Sequence, residues 1–205
     1  MRTENTEILI IGAGPAGSIA AGLLRKQGRQ VLILEKEQFP RFSIGESLLP
    51  QSMEYIEAAG MLQAVVEAGF QYKNGAAFAC GERRTQFDFR EKFSCGWSTT
   101  YQVQRADFDK VLADCAEAAG ATVRYRHEVF AIDVDGDKPS ICVRNPDGEE
   151  YRIEANFLLD ASGFGRILPR LLKLEAPSNF PTRDAPSPGS CCGRRFPAQH
   201  HPVHA

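Results

Sequence analysis

Residues 7–19 read EILIIGAGPAGSI, and this stretch decides the fold. The apolar run Glu7–Ile11 predicts a short strand, and Pro15–Gln27 carries small and apolar side chains at helical spacing until Gly28 ends the helix. A second apolar run, Val31–Glu35, predicts another strand. A strand, a helix and a strand in this order predict a parallel sheet with right-handed connections, as in a Rossmann-like α/β fold.

The turn between the first strand and the helix carries the glycine pattern GxGxxG, formed by Gly12, Gly14 and Gly17. In dinucleotide-binding folds the first glycine permits the tight turn, the second lets the backbone approach a pyrophosphate, and the third lets the helix lie close to the sheet. The N-terminus of the helix then offers unpaired N–H groups and a partial positive charge to the phosphates. The other positions of this predicted cofactor site are Ala13, Pro15 and Ala16.

An acidic residue ends the second predicted strand. Glu35 lies 23 residues after Gly12, a spacing at which a carboxylate accepts hydrogen bonds from the ribose hydroxyls of a bound adenosine. A carboxylate there repels a 2′-phosphate and therefore disfavours NADP. We assign Glu35 and the adjacent Lys36 to the cofactor site, while the pattern alone leaves FAD and NAD open.

The rest of the chain predicts further helices and a group of short strands. Helices are expected at Ser47–Ala59, Leu62–Ala68 and Arg105–Ala119, the last with Phe108, Val111, Leu112 and Cys115 on one apolar face. Strands are expected at Ala76–Ala79, Thr85–Phe89, Thr100–Val103, Val123–Tyr125, Glu128–Val134, Ser140–Arg144 and Glu150–Leu159. The later strands predict a smaller β-rich layer attached to the parallel sheet.

The composition is that of an ordinary globular domain. The chain has 205 residues, a formal net charge of −2, 43% hydrophobic and 24% charged residues. No long basic stripe is present, so we expect neither nucleic acid nor a membrane surface as a partner. No apolar run approaches the roughly 20 residues of a membrane-spanning helix, and the polar start of the chain does not resemble a signal peptide. Six cysteines without a CxxC pair are typical of free thiols in a cytoplasmic protein.

The last residues differ in character from those before them. Residues 184–205 read DAPSPGSCCGRRFPAQHHPVHA and show neither helical nor strand periodicity. We predict an unstructured tail here, and its Pro, Ser, Cys, Arg and His content resembles an out-of-frame translation of GC-rich DNA. The three histidines near its end lack ordered partner ligands, so no metal site is predicted.

Three further stretches narrow the family. Residues 41–50 read RFSIGESLLP, residues 104–109 read QRADFD, and residues 160–163 read DASG. Together with the glycine pattern they resemble the flavin monooxygenase clan, and within it most closely the flavin-dependent halogenases that act on phenols and carrier-bound pyrroles. The resemblance runs from about Thr6 to Arg183. It implies an FAD-binding domain of the glutathione-reductase type over residues 1–183, with FAD rather than NAD as the cofactor.

The resemblance also implies roles for residues outside the glycine pattern. Arg41 and Arg105 would lie along the FAD, and Val129 would contact the adenine through its backbone. Asp160 and Gly163 would line the flavin side. The loop that contains Ser47 would lie near the isoalloxazine. These residues complete the predicted cofactor site.

Lys73, in the stretch KNGAAF at residues 73–78, is the predicted catalytic residue. The halogenases carry a lysine in a similar K-x-G-A setting, where it binds or guides hypochlorous acid generated at the flavin. A lysine N–H can orient such an electrophile, and the amine can itself become chlorinated. Without the resemblance, Lys-Asn-Gly is good turn chemistry, and Lys73 is then better explained as a solvated turn residue before a strand.

The activity implied by the resemblance is that of an FAD-dependent oxidoreductase. It would use reduced FAD, O₂ and halide to halogenate an electron-rich aromatic substrate, free or carrier-bound, with a separate flavin reductase supplying the reduced FAD. The family's W-x-W-x-I-P segment, a later Gly-Asp motif and a C-terminal helical region are absent, so we expect a truncated chain. Two alternatives stay open: a hydroxylase or geranylgeranyl-reductase-like enzyme that uses NAD(P)H, and a catalytically inactive FAD-binding fragment.

Overall fold

A computed structural model describes residues 1–174 of the chain. The predicted tail at 184–205, and the domain boundary before it, lie outside the described residues. In chain order the elements are β1 (Thr3–Ile11), α1 (Pro15–Lys26), β2 (Val31–Leu34), α2 (Pro50–Ala58), α3 (Leu62–Glu67), β3 (Gln71–Lys73), β4 (Gly75–Cys80), β5 (Arg83–Asp88), β6 (Thr100–Gln102), α4 (Arg105–Ala118), β7 (Thr122–Arg124), β8 (Glu128–Asp133), β9 (Ser140–Arg144), β10 (Glu150–Asp160), a 3₁₀ turn (Gly163–Gly165) and α5 (Ile167–Leu171).

Six strands form one sheet in the order β7-β2-β1-β10-β9-β8. The strands β7, β2, β1 and β10 run parallel, and Ile8 pairs with Val31 on one side and with Phe157 on the other. The sheet continues in antiparallel register through β9 and β8, because the first residues of β10 also pair with β9. Two small antiparallel sheets, β3–β6 and β4–β5, stand apart from it. The predicted α/β class with a parallel sheet is confirmed.

The parallel strands are buried on both faces. Ile10 and Ile33 pack on one face with apolar side chains of α1, α2 and α4, among which Phe108 is almost fully buried. Leu9 and Leu34 pack on the opposite face against apolar side chains of β8, β9 and β10. The antiparallel pairs β10–β9 and β9–β8 correspond to the predicted smaller β-rich part, and they continue the parallel sheet. Burial on both faces explains why β1 and β2 are continuous apolar runs in the sequence.

The helix predicted at Ser47–Ala59 begins at Pro50 instead. Residues 47–49 are not helical, and Ser47 forms an isolated antiparallel bridge with Gln102, the last residue of β6. Pro50 fits the first helical position, and the residue before a proline is driven to extended geometry, as the ψ of 153° at Leu49 shows. The helix prediction is therefore wrong for residues 47–49.

Strand β3 and helix α5 were not predicted, and neither was the 3₁₀ turn at Gly163–Gly165. Strand β3 pairs with β6 so that Lys73 lies opposite Thr100, and the interpretation of Lys73 as a solvated turn residue is therefore wrong. The short helix α5 follows the end of β10 and packs against β8. Both elements are too short for periodicity to reveal them, and their positions depend on contacts with distant parts of the chain.

Residues 1–174 contain neither a membrane-spanning helix nor a candidate metal site. No helix in this part is long and apolar enough to cross a membrane. No three His, Cys, Asp or Glu side chains of this part come together as a possible metal site. Three cysteines of this part, Cys95, Cys115 and Cys142, are free thiols.

Candidate cofactor site

The turn between β1 and α1 is built on two close backbone approaches. Gly12 has a φ of +101°, and a Cβ atom there would lie 2.7 Å from the Ala161 carbonyl oxygen. Gly17 faces back onto the same turn, where a Cβ atom would lie far inside van der Waals contact with the Gly12 carbonyl oxygen. The first and third glycines of the pattern therefore hold strand β1, helix α1 and the end of β10 together, as their spacing predicts.

The N-terminus of α1 is suited to an anion. Gly14 is its N-cap and makes no side-chain capping hydrogen bond, Pro15 occupies the first turn, and that turn carries no acidic side chain. A Cβ atom at Gly14 would make only ordinary van der Waals contacts, the nearest with Nη2 of Arg41 at 3.6 Å. A helix N-terminus with free N–H groups and a facing guanidinium fits the pyrophosphate of a dinucleotide.

Glu35 lies at the end of β2, is almost completely buried, and makes two hydrogen bonds to backbone. Its Oε2 accepts from the Ala13 N–H at 2.9 Å, and its Oε1 accepts from the Glu37 N–H at 2.9 Å. The carboxylate therefore connects the glycine turn to the end of β2, a role that the sequence did not reveal. Each oxygen keeps a further lone pair, so acceptance of ribose hydroxyls, the predicted role, is chemically compatible with this geometry.

These groups border one open cleft of about 610 Å³. The predicted cofactor residues that line it are Gly12, Gly14, Pro15, Ala16, Glu35, Lys36, Arg41, Arg105, Val129 and Gly163. Further lining residues that were not among the predicted ones include Glu37, Phe42, Ser43, His127, Glu128, Ala161, Ser162 and Phe164. Residues from five separate stretches of sequence thus meet at one place, as expected for a cofactor site at the carboxyl ends of parallel strands.

Four predicted cofactor residues do not line the cleft. Ala13 and Gly17 are buried in the turn behind it. Asp160 points into its own loop, where Oδ1 accepts from the Ser162 N–H and Oδ2 from the Leu168 N–H, both at 2.9 Å. Asp160 thus fixes the chain between β10 and α5, which carries Gly163 into the cleft. Ser47 lies beside Lys73 instead.

A buried charge cluster lies under the cleft. Asp109, on α4, is fully buried and makes ion pairs with Arg105 at 2.7 Å and with Arg41 at 3.2 Å. Sequence reasoning singled out both arginines but missed the carboxylate between them. The available signal was the i,i+4 spacing of Arg105 and Asp109 within the stretch QRADFD.

Tyr125 is a second polar group packed beneath this region. Its ring lies 5.4 Å from that of Phe39, and its buried hydroxyl has no hydrogen-bond partner in the described part of the chain. Burial, together with the nearby carboxylates of Glu117, Asp114 and Glu35, raises the pKa of Tyr125 to about 12. The phenol therefore stays neutral and adds no charge to the site.

Lys73 lies apart from the cleft and is held by the segment before α2. Its Nζ donates to Ser47 Oγ at 2.6 Å and to the Leu48 carbonyl at 2.9 Å. The ammonium also lies 5.1 Å from the centre of the Phe89 ring, within the range of a cation–π contact. Two separate stretches, residues 46–48 and β3, are thereby joined through one half-buried lysine.

We expect Gly14→Ala to weaken FAD binding without unfolding the protein. Gly14 has φ −65° and ψ −177°, which alanine adopts freely, but the new methyl group would occupy the space that a phosphate needs. The dissociation constant for FAD should rise about tenfold or more, since one displaced charged hydrogen bond is worth at least that factor. Titration followed by flavin fluorescence measures it.

Gly136→Ala is the matched control for that variant. Its Cβ atom would also make only an ordinary van der Waals contact, 3.7 Å from the Lys138 carbonyl oxygen, in a turn that does not line the cleft. We expect its FAD affinity to equal that of the unsubstituted chain. An unchanged affinity in Gly14→Ala would show that no phosphate approaches Gly14.

Comparison with known sequences agrees with this geometry. The family described as FAD binding domain matches residues 5–182 of the chain. A tryptophan 2-halogenase from Chondromyces crocatus is 38% identical over 162 residues, which cover 78% of this chain and 30% of that protein. The chain spans about a third of the length of this relative and of other curated relatives that it matches.

Solved structures share the fold. A flavoprotein/dehydrogenase from Cytophaga hutchinsonii superposes with a TM-score of 0.83 and 47% identity, covering 87% of this chain and 44% of that one. The myxobacterial chondrochloren halogenase, described as FAD-dependent, superposes with a TM-score of 0.71 and 35% identity, covering 77% of this chain and 37% of that one. The predicted fold class and the resemblance to flavin-dependent halogenases are thereby confirmed. The chain belongs to the FAD-binding domain family, and its cofactor is FAD.

Proposed function

We propose that the chain is the FAD-binding part of a flavin-dependent halogenase. In this proposal the enzyme uses reduced FAD, O₂ and a halide to halogenate an electron-rich aromatic ring. The halogenase relatives support the reaction class. Because the chain spans only about a third of those relatives, the activity of the whole protein is part of the proposal.

One contact carries this proposal, the hydrogen bond between Lys73 and Ser47. The stretch around Lys73 and the stretch RFSIGESLLP are the two that most narrowly resemble the halogenases. They are 26 residues apart in sequence, and Lys73 Nζ lies 2.6 Å from Ser47 Oγ. Such a contact with that loop is not expected of a solvated lysine that has an unrelated role.

In the proposed enzyme, some residues of the chain bind FAD and Lys73 orients the oxidised halide. The N-terminus of α1 and Arg41 hold the pyrophosphate, and Glu35 accepts hydrogen bonds from the adenosine ribose. Bound reduced FAD supplies the electrons that activate O₂. Lys73 has three N–H donors and uses two of them on Ser47 and Leu48. Its third N–H is left to orient the oxidised halide toward the aromatic substrate.

Two partners follow from the proposal. A separate flavin reductase supplies reduced FAD in this proposal. The substrate is an aromatic ring rich enough in electrons to attack a positively polarised halogen. A free ring and a ring tethered to a carrier protein are both compatible with the residues described.

A hydroxylase or reductase that uses NAD(P)H is the second candidate. The observation that favours it is the 47% identity to a flavoprotein/dehydrogenase, which exceeds the identity to the halogenase structure. An FAD-binding unit without catalysis is the third. The three candidates differ in what they do with halide.

The deciding experiment is the halide dependence of product formation. The purified chain is supplied with FAD, a separate flavin reductase, O₂ and phenol as a probe, with bromide, chloride or neither, and with catalase to remove free peroxide. A halogenase gives halogenated phenol, detected by mass spectrometry, only when halide is present. A hydroxylated product that forms without halide would contradict the proposal in favour of the second candidate, and bound flavin with no product would favour the third.

A further inference from the structure

Asp109 is a buried charge that the proposed chemistry does not use. It lies in α4, one turn after Arg105, and its side chain is completely shielded from solvent. The two arginines that it contacts both line the cofactor cleft, whereas Asp109 itself does not. A carboxylate is seldom buried without a specific partner. The position of Asp109 between two guanidinium groups therefore indicates a specific role.

Arg105 is held by Asp109 as a fork. Its Nε donates to Oδ1 at 2.7 Å, and its Nη2 donates to Oδ2 at 3.0 Å, which is the bidentate geometry of a guanidinium and a carboxylate. The remaining terminal nitrogen, Nη1, donates to the Ile44 carbonyl at 2.6 Å. Arg105 therefore fastens the loop around Ile44 to helix α4, and Asp109 sets the direction in which it does so.

Arg41 contacts the same carboxylate and also lies near Glu35, whose Oε1 is 3.9 Å from its Nε, while its second terminal nitrogen is not used in either contact. Its Nη1 lies 3.2 Å from Asp109 Oδ2, and its guanidinium stacks 4.7 Å from the centre of the Phe39 ring. Its other terminal nitrogen, Nη2, faces the space beside Gly14. Arg41 is thus the arginine whose free donors point at the predicted pyrophosphate position.

By its charge alone, the carboxylate of Asp109 would repel a phosphate group and so weaken binding. The carboxylate lies close to Gly14, since a Cβ atom there would be 4.0 Å from Oδ2. A negative charge near the expected phosphate position weakens binding of the phosphate. Removal of that charge makes the net charge of the site more positive by one. If Asp109 nevertheless favours binding, it must do so by fixing the two guanidinium groups.

We propose that Asp109 is a positioning residue that aims Arg41 at the FAD pyrophosphate and, through Arg105, fixes the Ile44 loop beside it. The proposal rests on FAD as the cofactor and is independent of halogenation. Holding a planar fork in its binding geometry before the ligand arrives lowers the entropy lost on binding. Loss of the carboxylate would remove the one group that contacts both guanidinium planes, and the remaining contacts of Arg41 and Arg105 would no longer fix them relative to each other.

The test is nucleotide binding by Asp109→Asn, with ADP and adenosine as probes in isothermal titration calorimetry. Asparagine has the same shape but lacks the charge that holds two guanidinium groups. We expect the dissociation constant for ADP to rise about tenfold, the factor of one lost charged hydrogen bond, although the site has become more positive. Adenosine has no phosphates, and its affinity should not change. General damage to the fold would weaken both ligands.

Asp114→Asn is the matched control. Asp114 lies on the same helix and also pairs with a residue four positions away, because Lys110 Nζ lies 2.6 Å from its Oδ2, but it is half exposed and does not line the cleft. The same change of charge there should leave ADP affinity unaltered. If Asp109→Asn binds ADP as tightly as the unsubstituted chain or more tightly, Asp109 is not a positioning residue.

A second variant keeps the proposal testable if Asp109→Asn does not fold. Arg41→Lys retains the positive charge but has a single terminal nitrogen, so it cannot contact Asp109 and a phosphate with separate nitrogens. We expect about a tenfold loss of ADP affinity and none of adenosine affinity. Unchanged ADP binding in Arg41→Lys would overturn the proposal. Neither readout depends on whether the protein halogenates, so failure of the proposed function is recognised separately.

Discussion

The Gly17→Ala variant is expected to lose at least about 3 kcal/mol of unfolding free energy and to bind no FAD. The added methyl group would collide with the Gly12 carbonyl oxygen, which belongs to backbone and cannot turn away. It would also press on the Ala161 side chain at 3.3 Å. Helix α1 can relieve the overlap only by moving away from the end of β1.

That movement would break contacts that hold the turn together. Ser18 Oγ donates to the Ala13 carbonyl at 2.9 Å, and the Gly12 N–H donates to the Leu34 carbonyl at 2.8 Å. Both bonds are buried, and a buried polar group without a partner destabilises the folded state further. The same movement would displace the helix N-terminus from the pyrophosphate position, so stability and FAD binding should fall together.

Gly14→Ala is the matched control for Gly17→Ala, since it makes the same substitution three residues earlier in the same pattern. Urea unfolding should show a large loss of stability for Gly17→Ala and little change for Gly14→Ala. If the unfolding free energy of Gly17→Ala lies within about 0.5 kcal/mol of that of the unsubstituted chain, helix α1 and the turn do not approach each other closely.

The prediction of β1, α1 and β2 from sequence succeeded because their signals are local. The bounds of α1 differ from the predicted ones by a single residue, since Pro15 and Gly28 mark its ends chemically. The apolar runs of β1 and β2 reflect burial on both faces of the sheet. The glycines of the pattern determine the backbone geometry of the turn. The same residues therefore predicted both the turn and the cofactor cleft beside it.

The errors occur where distant residues decide the structure. Residues 47–49 have helix-compatible side chains, but the bridge to Gln102 holds Ser47, and Pro50 drives Leu49 to extended geometry. Asp109 lies within an amphipathic helix, and only the fold brings Arg41 to it from 68 positions away. No periodicity encodes such a contact. Asp160 similarly binds the backbone of α5, an element that sequence alone did not reveal.

The Lys73→Ala variant is expected to lose halogenation of the phenol probe by about 10²- to 10⁴-fold while FAD binding stays unchanged. Lys73 does not line the cofactor cleft, so its removal leaves the phosphate and ribose contacts intact. Its absence removes the N–H that would orient the oxidised halogen. Product mass spectrometry and flavin titration on the same preparation measure both effects.

Lys92→Ala is the matched control for loss of a lysine that fastens a loop. Lys92 Nζ donates to the backbone carbonyls of Gly96 and Trp97, each at 2.7 Å, much as Lys73 binds the Leu48 carbonyl. Its removal should leave halogenation within about twofold, because surface interactions of this kind contribute little. A similar loss in both variants would show that loop order matters, rather than the amine of Lys73.

Lys73→Arg separates the chemistry of the amine from its role in holding the segment before α2. Arginine keeps the positive charge and can donate to Ser47 Oγ and to the Leu48 carbonyl, so the loop should stay in place. Its planar guanidinium cannot place a further N–H where the third N–H of the ammonium lies, so the oxidised halogen is not oriented. We expect Lys73→Arg to bind FAD normally and to remain as inactive as Lys73→Ala. Recovery of halogenation in Lys73→Arg would make Lys73 a clamp on the loop, and the orienting group would then have to be sought elsewhere.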